Sequence, residues 1–185
     1  MTKNNKKGFT IIEVVLVLAI AGLIFLMVFV ALPALQRSQR NTQRREDLSR
    51  IMTALNDYSS NNSGKIPSEH AASRDYDKER EEAIKFIKRY VDESCEAKPR
   101  TDNERIYFDG CGEAFTDPDG TIYAWQIQGS TGDASAPYPS QDHVFHYYSK
   151  AKCGETEGIT VNASSRNYAV VMILEGGSYA CMDNS

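Results

Sequence analysis

The chain has 185 residues with a formal charge of −4, 41% of them hydrophobic and 25% charged. That length suits one extended element plus one small globular domain rather than several domains. An acidic balance excludes a generally basic nucleic-acid binder, and it keeps an exposed surface soluble without defining a partner.

The first stretch organises the rest. Lys3, Lys6 and Lys7 precede Gly8, Phe9 and Thr10; then comes Glu13, and then residues 14–35 without a charge, amide or hydroxyl. As a helix this run is long enough to cross the hydrocarbon core of a bilayer. Lysines ahead of an apolar segment predict a cytoplasmic amino end, with everything after Leu35 outside. A single carboxylate in such a segment is costly and predicts a partner for Glu13. An ordinary signal anchor is the plainer reading, but it leaves the placement of Glu13 unexplained.

A basic leader ending in glycine, then phenylalanine, a few apolar residues, glutamate and a long apolar helix resembles the type IV pilins and the type II secretion pseudopilins. The resemblance rests on residues 6–35 and on Gly8, Phe9, Thr10 and Glu13 in particular. It implies that residues 1–8 are a leader, cut between Gly8 and Phe9 by a prepilin peptidase that also N-methylates Phe9. It further implies polymerisation into a helical filament, with an assembly platform and minor pilins as partners and the membrane as a reservoir of subunits. Removing residues 1–8 takes away three lysines and leaves −7 from side chains. The cut precedes the hydrophobic segment, unlike that of a secretory signal, so the mature chain keeps its anchor. The ammonium exposed at Phe9 and the carboxylate of Glu13 are each expensive in an apolar medium and tolerable as a pair. The physics permits that pair within one chain or between subunits; the resemblance implies the second.

Residues 9–58 read as one helix, with 9–35 as the membrane or filament core. Gly22 and Pro33 are the places where it bends or loosens. Leu48, Ile51, Met52, Leu55 and Tyr58 recur at three- and four-residue steps and form a stripe for packing. Arg37, Arg40, Arg44, Arg45 and Arg50 read either as a solvated face at the headgroups or as cations that meet acids of neighbouring subunits. This short patch makes DNA only a weak candidate partner.

Residues 59–104 read as a connecting region, opened by a cluster of turn formers. Residues 75–91 form a short charged helix with Ala83, Phe86, Ile87 and Tyr90 on its apolar side. Residues 105–185 read as the globular domain. Residues 106–108, 121–128 and 144–148 are strand-like. Asp117-Pro118-Asp119-Gly120 is a turn, and 168–174 with 179–182 form a terminal hairpin. The expected fold is α+β: a long amino-terminal helix packed on an antiparallel sheet of four or five strands, which needs a covering layer. Residues 129–140 are a surface loop.

Cys95, Cys111, Cys153 and Cys181 lie on the expected external side, where disulfides persist. Three pairings are open. Cys95–Cys111 and Cys153–Cys181 are favoured, since the first closes a short loop and the second ties the last strand down. Their spacing lacks a C-x-x-C pair, so no zinc site is expected. Asp117, Asp119 and Glu113 offer oxygens for calcium, but they read first as a turn without a full ligand loop. His143 and His146 sit three apart in a strand-like stretch, on opposite faces, and His70 is isolated. Asn61 and Asn162 match the glycosylation pattern. No nucleophile stands in a catalytic context, so the expectation is a protein without catalytic residues, metal or cofactor. The reading is a structural subunit of a type IV pilus serving adhesion, twitching motility or DNA uptake, extracellular after assembly. The alternative is a minor pilin or pseudopilin that primes or drives a filament.

Overall fold

The computed structural model describes residues 8–65, 76–99, 105–109, 115–129, 143–155 and 160–185. Residues 1–7, His70, Cys111, Glu113 and all but Gly129 of the expected 129–140 loop lie outside them. Helix α1 runs Ile11–Asn61, unbroken through Gly22 and Pro33. The chain divides into two compact units, Met1–Gln39 and Arg40–Ser185.

In the first unit the helix carries its apolar residues outward. Phe9, Leu16, Phe25, Met27 and Phe29 are all more than half exposed, and so is Leu35. Among the described residues this is the one helix long and apolar enough to cross a membrane.

The second unit is built on residues 40–61 of α1. A six-stranded sheet has the order β1-β2-β3-β4-β7-β8. Its strands are β1 (Glu96–Pro99), β2 (Arg105–Asp109), β3 (Ala124–Gly129), β4 (Val144–Ser149), β7 (Tyr168–Ile173) and β8 (Tyr179–Asp183). Strands β5 (Ala151–Cys153) and β6 (Thr160–Asn162) form a separate pair. The sheet is mixed rather than wholly antiparallel, because β3 and β4 run parallel. A parallel pair needs a crossover of a dozen or more residues, and the segment between Gly129 and Val144 supplies that length. The expected count of strands is exceeded by β1, β5 and β6, which are too short and too polar to show a period-two pattern.

The stripe on α1 is the floor of the core. Leu48, Ile51, Met52, Ala54 and Leu55 are buried against Phe86, Ile87, Trp125, Phe145, Tyr147, Tyr168, Val170 and Met172. The charged helix α2 (Tyr76–Phe86) continues into a π-turn at Ile87–Val91. There Phe86 bridges Tyr58 and Trp125, with ring centroids 5.8 and 5.7 Å away. Alternation sorts the central strands between two layers: Tyr168, Val170 and Met172 face this core. Ala169 and Val171 join Tyr148 and Ala151 in a smaller cluster, against which Cys153, Tyr179 and Cys181 pack. Strands β4 and β7 are therefore buried on both faces, where a single covered face was expected.

Candidate functional site

The amino end of α1 is organised by Thr10 and Glu13. The Thr10 backbone N–H and hydroxyl each donate to Glu13 Oε2 at 2.9 Å, while the Glu13 N–H approaches Thr10 Oγ1 at 3.4 Å. This is a reciprocal capping box: threonine at the N-cap and glutamate three residues on satisfy donors that the helix start leaves open. Both bonds fall on one oxygen of an exposed carboxylate, and a carboxylate has lone pairs on both oxygens to accept with. Phe9 is 91% exposed, immediately before the cap, and a Cβ added to Gly8 would meet nothing within 4 Å. The Gly8–Phe9 peptide is thus open on a segment that precedes the helix. Gly22 is equally uncrowded. Pro33, inside the helix, removes one backbone donor there.

The arginines after Leu35 do not form one solvated face. Arg44 is buried, and its Nε and Nη2 donate to the two carboxylate oxygens of Asp117 at 2.6 and 3.0 Å. Arg40 makes a forked pair with Glu175. Asn41 closes a two-way bond with the Glu175 backbone, accepting from its N–H at 2.9 Å and donating to its carbonyl at 3.1 Å. Asp47, also buried, accepts from the Tyr123 hydroxyl at 2.8 Å and from Arg50 at 3.2 Å. Arg44 is thus not solvated, and the acids that Arg40 and Arg44 meet within this chain belong to their own domain. The signal was present, since positions 40, 44 and 47 extend the 48–51–55 stripe back at the same spacing. Charge was read as solvent exposure, and a buried bidentate pair breaks that rule.

Asp117-Pro118-Asp119-Gly120 is the expected turn. Gly120 N–H donates to the Asp117 carbonyl at 2.8 Å, with Gly120 at φ 88°, which favours glycine. Asp117, Asp119 and His143 converge within 4.8 Å, but two nitrogen cations or donors already hold Asp117. A guanidinium at 2.6 Å makes this a poor place for calcium. His143 is not in the strand: it sits at φ 67° in the turn before β4, so alternation does not place it. His146 is fully buried in β4 with Nδ1 2.9 Å from Gln128 Nε2. Burial pushes the carboxyl of Asp117 up, but bonds from His143 and Arg44 outweigh it and hold the group well below the usual carboxylate range. Burial raises Asp47 despite Tyr123 and Arg50.

Cys153 and Cys181 form a disulfide with Cα atoms 5.9 Å apart, joining β5 to β8. Cys95 is buried and disulfide-bonded; Cys111, its favoured partner, lies outside the described residues.

A long apolar amino-terminal helix with a small mixed β-sheet domain is the architecture of type IV pilin-like proteins. Residues 3–29 match the family model described as the prokaryotic N-terminal methylation motif. That motif marks pilin-like and pseudopilin chains and implicates a prepilin peptidase and methyltransferase as a processing partner. Comparison with curated proteins and with solved structures gives no significant match.

Proposed function

We propose that this protein is a structural, non-catalytic subunit of a type IV pilus. In this reading it is held in the cytoplasmic membrane by α1, with its amino end inside and residues 40–185 outside. It is cut between Gly8 and Phe9, methylated at Phe9 and polymerised into a surface filament for adhesion, twitching motility or DNA uptake. The observation that carries the reading is an amino-terminal helix whose apolar side chains are exposed all round from Ile11 to Leu35, with one capped carboxylate in its first turn. Such a surface needs lipid first and copies of itself later. In this reading the exposed Glu13 carboxylate takes the ammonium of a neighbouring Phe9 as these rods leave lipid, and the pair sets axial register. The methylation motif serves minor pilins and pseudopilins too, and it supports the second reading, a subunit that primes or drives a filament.

The test is to shear surface fibres from cells and determine the amino terminus of the constituent chains by mass spectrometry. Abundant chains beginning at N-methylated Phe9 are expected; trace amounts in fibres built of another subunit support the priming role. Only uncleaved chains starting at Met1 contradict both readings; absence from all fibres contradicts the pilus-subunit reading.

A further inference from the structure

The buried network around Arg44 contains a group whose protonation its geometry fixes. His143 places Nδ1 3.1 Å from Asp117 Oδ2 and Nε2 3.3 Å from Asp119 Oδ2. A neutral imidazole has one N–H and one lone pair, so it donates to only one of these oxygens; the imidazolium donates to both. Charge points the same way. With His143 protonated, the cations Arg40, Arg44 and His143 balance the anions Asp117, Asp119 and Glu175. With His143 neutral the cluster carries one uncompensated negative charge beside a buried carboxylate.

We propose that His143 is a proton-operated clamp, closing the entry of β4 onto the Asp117–Gly120 turn when charged and giving up Asp117 when neutral. The alternative bond is in place. Arg44 Nη2 lies 3.4 Å from Nδ1, so a neutral ring protonated on Nε2 keeps Asp119 and turns its Nδ1 lone pair to Arg44. That leaves two lone pairs facing each other across the 3.1 Å to Asp117. The groups that face the ring are Asp117 and Asp119 from the turn and Arg44 from α1. Arg40 and Glu175 stand behind Arg44, while Asp47 and Tyr123 lie beyond Asp117. The hydrogen bond to Asp117 holds the His143 imidazolium above its usual range, against burial. A group so raised contributes stability in full below about pH 6.5, and that contribution is lost as pH rises through the folded-state value. Asp117, held low, stays ionised across this window. The inference stands apart from the filament reading, since it concerns only contacts within residues 40–185.

The test uses the full chain in detergent micelles. The imidazole titrations of its three histidines are followed by NMR, and the resonances of His143 are assigned by their loss in His143→Gln. The expected His143 midpoint lies above about 6.5, falling by about half a unit or more in Asp119→Asn. Chemical unfolding at pH 6 and pH 8.5 supplies a second readout: the wild type is the weaker at pH 8.5, and His143→Gln loses most of that difference. Should Asp119→Asn not fold, the wild-type midpoint and the unfolding pair still decide. A midpoint at or below about 6.5 overturns the proposal. So does a His143→Gln chain that keeps the full difference between the two pH values.

Discussion

At the scale of single residues, burial and charge decide more than hydrophobic pattern does. Arg44 has a side chain 1% exposed, and removing one partner of a buried pair leaves the other charge unmatched. Arg44→Ala is therefore expected to cost about 3 to 5 kcal/mol, measured by chemical unfolding at neutral pH. Arg45→Ala, at an exposed position without that pairing, is the control and should stay within about 0.5 kcal/mol. Acid works on the same site. Since the folded protein holds Asp117 below its ordinary value, its contribution is present above about pH 3.9 and is lost as pH falls through the lower folded-state value. Asp117→Asn should flatten stability at the acid end while lowering it at neutral pH.

Elements show where the sequence spoke and where it fell silent. The stripe Leu48, Ile51, Leu55 was legible because a period near 3.6 is unmistakable over three turns, and the terminal hairpin because Gly176 and Gly177 interrupt an apolar run. Gly177 N–H closes that turn on the Leu174 carbonyl at 3.1 Å, with φ above 80° at both glycines. The parallel β3–β4 pair was not legible: strand direction depends on where a long connection crosses, and no local pattern encodes that. Strands β5 and β6, three residues each, exist because the disulfide and the packing of Ala151 against Ala169 and Val171 hold them. Replacing Cys153 and Cys181 together by serine should cost about 2 to 4 kcal/mol. It should also raise amide exchange in β5 and β6 more than in β4. Equal exchange in all three strands would assign the pair to some other support.

For the whole molecule, the amino-terminal signal was the clearest in the sequence and the carboxyl-terminal chemistry the least clear. Gly8, Phe9 and Glu13 stand in a fixed order before 22 uninterrupted apolar residues, a pattern readable because membrane cost makes every polar residue there conspicuous. The partners of Arg40 and Arg44 are 135 and 73 positions away, and nothing in local sequence links them. The reading as a polymer subunit rests on Glu13, whose exposed carboxylate has lone pairs on both oxygens to accept a neighbour's ammonium. The direct measurement is the amount of Glu13→Ala chain in sheared surface fibres relative to that in the membrane fraction. The account predicts normal membrane levels with incorporation reduced at least about tenfold; unchanged incorporation into fibres would contradict it.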